Sequence, residues 1–462
     1  MLNKIYSYSP VFIQNILVSI YGFYWKNRRL GGCFKEKLKS FKDRESYTKN
    51  QWVDYQTLEL RKLLIHGFTT VPFYADLYSK HGFTLNDLKK FEMEDLAKLP
   101  FLEKDDLRQF GTTTLLSSKK EKGNFYFSSG SSGTPTSIYF SKKTHQSWSA
   151  IYEARVRNWA GLNYKIPRAM VGGRRVLPTS ISRKPFYRYN YAESQAYFSA
   201  YHISEKNTKD YVDGLFKSKS EYFVGYAMSI YLLSEFILKL QLKTPELKAV
   251  LTSSEKLTSK MRSIIEEAFK CKVYDAYSGM EACGLISENS KGDLLFSPDS
   301  GIMEVIDDEG TQVGFGESGE LIATGFLNYD QPLIRYRIGD RVKLSKNQVN
   351  KLGTEMLKIE EIEGRCEDII IGYRGQKMVR FHSVFIGISS IIMAQVIQQT
   401  LNCIEIKLVV DSSYLSTSED LIKKRIKNQL GEDIIIKFSY VSSVKRSDSG
   451  KFKAVISNLE NG

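Results

Sequence analysis

Leu247 to Tyr277 reads LKAVLTSSEKLTSKMRSIIEEAFKCKVYDAY, and the pattern of this stretch decides the fold. Leu247 to Thr252 is an apolar, strand-like run. Glu255 to Lys270 then repeats Leu257, Met261, Ile264, Ile265 and Phe269 at helical spacing, on one face. Lys272 to Tyr277 is strand-like again. A strand, a helix and a second strand in that order predict a parallel sheet covered by helices.

Moving towards the C-terminus, residues 301 to 350 change character. Short β-like runs at Gly301 to Ile306, Glu320 to Thr324 and Arg341 to Leu344 are separated by Asp-Glu-Gly and Gly-rich turns, which predicts a small antiparallel barrel or sheet. After Gly364 the pattern changes again. Ile404 to Val410 reads as a strand, Ser418 to Gln429 as a helix capped by Ser418 with Glu419 and Asp420 in its first turn, and Asp433 to Tyr440 as another strand. The expected fold is α/β. A large N-terminal domain, residues 1–364, has parallel sheets flanked by helices plus a small β-barrel, and a small α+β domain follows at residues 365–462.

The 462 residues are too many for one compact core, which agrees with two domains. Net charge is +14, from 66 Lys and Arg against 52 Asp and Glu, so nucleic acid, an acidic membrane and nucleotide phosphates all need weighing as partners. The basic residues are spread along the chain and no nucleic-acid-binding pattern accompanies them, which sets nucleic acid aside. Cys33, Cys271, Cys283, Cys366 and Cys403 form no CxxC pair, so neither a disulfide framework nor a structural zinc site is expected, and a reducing cytoplasm is the natural home. The apolar stretch from Val11 to Tyr24 is shorter than the roughly 20 residues of a spanning helix. It reads as an amphipathic helix packed on the body, with peripheral membrane contact as the alternative.

Four segments carry chemistry. Ser128-Ser129-Gly130-Ser131-Ser132-Gly133-Thr134-Pro135 follows the strand-like Asn124 to Phe127; its small residues let backbone N–H groups and hydroxyls converge on a polyphosphate, although a plain Ser/Gly turn has the same composition. It lacks the Gly-Lys-Ser/Thr of a Walker loop. Tyr336-Arg337-Ile338-Gly339-Asp340, preceded by Asn328 and by Pro332 to Arg335, offers a carboxylate able to accept from both ribose hydroxyls, or a simple turn. Glu363-Gly364-Arg365-Cys366-Glu367-Asp368 lies at the composition change and reads as a hinge or an ordinary linker. Arg446 to Lys451 holds a Ser-Gly-Lys near the C-terminus, which can bring an ammonium to a phosphate or serve as a basic tail.

In this order, with Tyr277-Ser278-Gly279-Met280-Glu281 between the first two, these segments resemble the adenylate-forming superfamily of acyl-CoA synthetases and luciferases. The nearest branch is the one containing phenylacetate-CoA ligases and capsular polysaccharide (CapK-like) proteins. Leu99 to Leu107, Ser199 to His202, Val224 to Tyr226 and Thr252 to Glu255 belong to the same resemblance, which covers nearly the whole chain. It implies that the loop from Ser128 to Thr134 closes over the ATP phosphates. Ser253, Ser254 and Glu255 would line the adenine with backbone atoms, and Tyr277, with Ser278 and Gly279 following, would stack on it. Glu281 is similar to the magnesium-associated carboxylate, Asp340 to the ribose-binding aspartate, and Arg365 to a hinge arginine that also touches the ribose. Lys451 resembles the lysine that bridges carboxylate and α-phosphate. Two positions depart from the family: Met280 stands where many relatives have Thr or Ser, and Glu367 where Asp or Lys is commoner.

The resemblance implies ATP and Mg2+ as cofactors, a small-molecule carboxylate as substrate, and coenzyme A or an amine, including an amino sugar, as acceptor. Two other readings stay open: an adenylyltransferase that leaves AMP on its product, and a non-catalytic component of a polysaccharide assembly complex. His202 is open between a role near the acyl pocket and a structural one. Cys283 reads as structural, and the apolar run Phe223 to Leu240 as a buried helix.

Overall fold

The computed structural model describes residues 6, 9–127, 136–172, 176–177, 184–365, 370–374, 377–378, 384–385, 388, 390–444 and 453–459. The chain divides into two compact units: Met1–Ile338 with Val342–Ile362, and Gly339–Arg341 with Glu363–Gly462.

In the first unit the hairpin β1 (Gly123–Phe127) and β2 (Ser137–Ser141) stands apart as a two-stranded sheet. The main sheet collects β3 (Arg168–Gly172), β4 (Tyr187–Asn190), β5 (Gln195–Ser199), β6 (Tyr222–Tyr226), β7 (Ala249–Ser253), β8 (Val273–Tyr277), β9 (Ile286–Glu288), β10 (Leu294–Phe296), β11 (Gly301–Ile306), β12 (Ser318–Gly325), β13 (Tyr336–Leu344) and β14 (Lys358–Arg365). Among the described residues their order is β11-β12-β13-β14-β10-β9-β8-β7-β6-β3-β5-β4. The stretch from β5 through β3, β6 and β7 to β8 is parallel. Both faces of this stretch are covered. Val250 packs with Phe223, Leu233, Ile265 and Phe269 on one side, while Ala249 and Leu251 pack with Phe34, Ile151 and Tyr222 on the other. Burial on both faces is why the strands read as continuous apolar runs.

The strand-helix-strand pattern read at 247–277 is present, with a shorter helix. It spans Ser259–Phe269, because the Thr258 side chain accepts the Met261 N–H at 3.2 Å and so starts it there. The run from Phe223 begins as β6 and becomes helical only at Ala227–Lys239. The short strands after 280 are antiparallel where β8 meets β9, β9 meets β10, β10 meets β14 and β11 meets β12. They continue the main sheet in an order that ends at β11, and the described ladder does not show a separate small barrel.

β4 is the other terminal strand, and the helix Val11–Leu30 covers it. Asn15 Oδ1 accepts the Tyr189 N–H and Ser19 Oγ accepts the Tyr191 N–H, both at 2.9 Å. Gln14 accepts from Arg188, and Lys26 donates to the Ala192 carbonyl at 2.8 Å. A Cβ at Gly22 would collide with the Asn190 side chain, so glycine permits the approach. The helix therefore packs on the body through its polar face. That is the reverse of the usual amphipathic arrangement, and the reason is that a sheet edge needs hydrogen-bonding partners.

The second unit holds the short pair β15 (Ile370–Ile371) and β16 (Lys377–Met378), and a sheet of β17 (Ile391–Thr400), β18 (Cys403–Val410), β19 (Ile435–Tyr440) and β20 (Val455–Ser457), ordered β19-β18-β17-β20. Ile404, Ile406 and Leu408 alternate inward along β18 against Ile422, Ile426 and Leu430 of the helix Thr417–Leu430. Ser416 occupies the position before this helix, and no side-chain cap is made there; Glu419 and Asp420 sit in its first turn as expected.

Candidate functional site

Adjacent parallel strands β6, β7 and β8 end level: Tyr226 pairs with Ser253, and Ser253 with Ala276. Residues just beyond these ends therefore become neighbours although they are distant in sequence. In open α/β sheets this crevice at the carboxyl ends of the strands is where ligands bind. Here the residues at and just beyond those ends are Ser253-Ser254-Glu255 and Tyr277-Ser278-Gly279-Met280-Glu281.

Each segment is held in a defined shape. Ser254 takes φ +69° and Ala282 φ +51°, a region that costs a non-glycine residue about 1 kcal/mol and that collects at ligand sites. Glu255 Oε2 accepts the Met228 N–H at 2.9 Å and so caps the helix Ala227–Lys239. Lys256 Nζ lies 2.7 Å from Glu361 Oε1. The side chain of Glu255 is thus engaged in holding its segment. Beneath, Thr252 Oγ1 donates to Asp275 Oδ1 at 2.8 Å. Burial, reinforced by the charge of Glu288, pushes the Asp275 carboxyl up to about 6 against the Thr252 hydrogen bond.

After Tyr277, which is half-buried, the chain turns at Gly279. A Cβ at Gly279 would strike the carboxylate of the half-buried Glu281. Met280 packs against the core cluster that includes Leu63, Tyr74 and Leu102. Cys283 is buried, and a Cβ at Gly325 would lie 2.7 Å from its Cα, which bears out its structural reading. Among the described residues no group of three or more His, Cys, Asp or Glu side chains could hold a metal ion. Glu281 would offer a single carboxylate to a magnesium ion whose other ligands were phosphate oxygens and water.

The loop from Ser128 to Thr134 lies outside the described residues, but its stems do not. Phe127 pairs with Ser137, and the ladder continues to Gly123 and Ser141. Buried Gln331 accepts the Tyr139 N–H at 2.7 Å and donates to the Gly111 and Ser137 carbonyls. Asn328 donates to the Tyr139 carbonyl at 3.0 Å. This anchoring role of Asn328 and Gln331 was not read from the sequence; two amides flanking Asp330 between apolar residues were the available signal. From the other side, Arg28 donates to His145 Nδ1 at 3.0 Å and to the Phe140 carbonyl at 2.7 Å. His145 packs among Trp25, Tyr126 and Phe140.

The segments at Leu99 and at Tyr336 are joined directly. Leu102 exchanges backbone hydrogen bonds with Arg335 and Arg337 at 3.1 Å, and the guanidinium groups of both lie over the Phe101 ring, 4.2 and 4.8 Å from its centre. Asp340 is half-buried on β13 and follows Gly339, whose φ of +78° suits glycine; by contacts it groups with the second unit. Arg365 ends β14, while Cys366 to Asp368 and Lys451 lie outside the described residues. His202 is buried after β5, with Nδ1 2.7 Å from Ser199 Oγ and its ring stacked on Phe186. No described helix is long and apolar enough to cross a membrane.

Residues 370–458 match a family model described as the CapK C-terminal domain. The chain is 28% identical over 474 residues to Protein CapK of Staphylococcus aureus, covering all of both chains. It is 24% identical over 351 residues to a phenylacetate-coenzyme A ligase of Aromatoleum evansii, covering 71% of this chain and 74% of the relative. Among solved structures it resembles 2-hydroxyisobutyryl-CoA ligase in a postadenylation state, with a TM-score of 0.67, 18% identity, and 90% and 91% of the two chains covered.

Proposed function

We propose, for a chain that belongs to the adenylate-forming superfamily in its CapK and phenylacetate-CoA ligase branch, that it is an AMP-forming ligase which activates a carboxylate with ATP. The observation that carries this reading is the level ending of β7 and β8, which brings Ser253 to Glu255 and Tyr277 to Glu281 to one crevice. In this reading the adenine lies against the backbone of Ser253 and Ser254 and the ring of Tyr277. Ser128 to Thr134 hold the phosphates, and Asp340 and Arg365 hold the ribose. The substrate carboxylate attacks the α-phosphorus; a new O–P bond forms and pyrophosphate leaves. Two anions meet in that step, and the ammonium of Lys451 lowers its barrier by standing between them. Glu281 would hold magnesium, which when bound offsets charge on the departing pyrophosphate. The thiol of coenzyme A or an amine, such as that of a sugar in surface polysaccharide synthesis, then attacks the acyl carbon; a thioester or amide forms, the acyl–O bond breaks, and AMP and a proton leave. The division at 364 separates an adenylation domain from a mobile lid bearing Lys451, and the cytoplasm, as the source of ATP, is where the enzyme acts.

The test is a screen of carboxylic acids, amino and hydroxy acids included, for pyrophosphate release with hydroxylamine as trap. Lys451→Ala should lower the release about 100-fold while ATP affinity stays near the parent value. Near-normal release from that variant sinks the role of Lys451. A stable AMP-bearing product would make the protein an adenylyltransferase. ATP binding without turnover of any acid would favour a non-catalytic component.

A further inference from the structure

The helix Val11–Leu30 spends its polar side chains on the sheet edge and turns its apolar ones outward. Phe12, Ile20 and Phe23 are each more than 60% exposed, and Ile16, Leu17, Tyr21 and Tyr24 are exposed with them. On a helical wheel these seven residues fill one half of the circumference. From Val11 to Tyr24 the sequence has no charged residue. The charges of this helix, Lys26, Arg28 and Arg29, lie beyond that stretch and are used inside the unit, on Ala192, on His145 with Phe140, and on Glu193. A soluble surface rarely leaves an apolar strip of this size open without a use for it.

What lies next to the strip indicates its occupant. The following helix, Phe34–Asp43, buries Phe34 and Phe41 and presents Lys35, Lys39 and Lys42 as one exposed stripe, with Glu36 and Asp43 as its only acidic residues. Exposed Lys142 and Lys143 begin the helix Lys142–Tyr152, against which both earlier helices pack. An uncharged apolar face carrying Phe, Ile and Tyr, beside a cluster of lysines, is complementary to the acyl boundary and the anionic headgroups of a bilayer surface. A second protein copy would have to match the strip with an equally uncharged surface and would leave the lysines without partners.

We infer that this helix docks the protein on an anionic membrane surface, lying in the interface without crossing it, with its apolar half-circumference among the acyl chains and the Lys35, Lys39, Lys42 stripe on the headgroups. Covering the β4 edge from one side and a bilayer from the other is a task that only an inverted amphipathic helix can perform.

The experiment is flotation of the full chain with vesicles of phosphatidylcholine alone and of phosphatidylcholine with phosphatidylglycerol. Binding is expected to the acidic vesicles, to weaken with salt, and to fall about tenfold or more in Ile20→Asp/Phe23→Asp. Lys35→Gln/Lys39→Gln/Lys42→Gln should bring acidic-vesicle binding down towards the neutral-vesicle level, with Lys142 and Lys143 keeping part of the attraction. Because all five positions are exposed, melting temperature and ATP binding should not change. A second readout guards against misfolding: in Phe23→Trp, emission of the introduced indole should shift to the blue on vesicle binding and be quenched by brominated lipid. Absence of vesicle binding overturns the inference, as does binding indifferent to the double variant. A solution dimer that Ile20→Asp/Phe23→Asp dissociates, with no vesicle binding, also overturns it and assigns the strip to a second copy.

Discussion

His145 ties the hairpin β1–β2 to the N-terminal helix and cannot readily take a proton while it does so. Arg28 Nε–H donates to its Nδ1, so that nitrogen must be the unprotonated one and the N–H must sit on Nε2. Burial first, then the charges of Arg28 and Arg29, push the imidazole down to about 3. The ordinary value is near 6.5. Below pH 6.5 the unfolded chain therefore binds a proton that the folded chain refuses. Stability contributed by the neutral ring is complete above that pH and is lost as pH falls towards 3. Between pH 6 and pH 4 the loss amounts to about 2.5 kcal/mol, from about 1.4 kcal/mol per pH unit with rounding near 6.5. Many carboxylates also contribute to acid unfolding, so the comparison must be with His145→Asn, whose side-chain oxygen can still accept from Arg28 but does not titrate. Its loss of ring packing is independent of pH. Urea unfolding of both proteins at pH 7.5, 6, 5 and 4 should show the wild type losing ground to the variant by that amount. A difference that stays flat across the series, or a His145 ring resonance titrating near 6.5, refutes the reasoning.

Asp275→Asn should have the opposite sign. With the folded carboxyl raised to about 6, stability from the protonated form is present below about pH 4 and lost as pH rises through 6, so the variant should be more stable by about 2 kcal/mol at pH 8 and equal at pH 4, as read by chemical denaturation. Gly279→Ala should displace the Glu281 carboxylate and cost about tenfold or more in pyrophosphate exchange with little change in melting temperature; full activity would remove Glu281 from the nucleotide site.

The parallel core was legible because burial on both faces of β7 leaves an apolar run, and because Met261, Ile265 and Phe269 repeat at helical spacing between it and β8. The start of the helix was misplaced because Glu255 and Lys256 look like first-turn residues, whereas their partners, Met228 and Glu361, come from elsewhere in the sequence. The direction of the N-terminal helix was not legible. Hydrophobic periodicity identifies a stripe but not the side on which the body lies, and the deciding partners were backbone N–H groups at Tyr189 and Tyr191, which carry no sequence signature. The continuation of the main sheet into β9 to β14 was hidden for the same reason, since turn-rich antiparallel strands read alike whether they close or extend an existing ladder.

The capping role of Glu255 also bears on where phosphate can bind. The N-terminus of Ala227–Lys239 opens at the end of β6, beside the crevice, and a helix N-terminus is ordinarily a ready anion site. Here Glu255 already accepts the Met228 N–H, and its carboxylate brings negative charge to that end of the helix. A polyphosphate placed there would meet a filled donor and a like charge. The triphosphate must therefore be met by groups from other parts of the chain, and in the proposed reading the donors of Ser128 to Thr134 and the ammonium of Lys451 supply them. That division of labour has a chemical consequence. In the proposed reading the adenine side is prebuilt by strand ends, a Ser254 at positive φ and a capped helix. In the same reading the phosphate side would depend on Ser128 to Thr134, whose flanking strands Gln331, Asn328 and Arg28 pin in place. Substitutions at those anchors should therefore impair the turnover of ATP before they impair the binding of AMP.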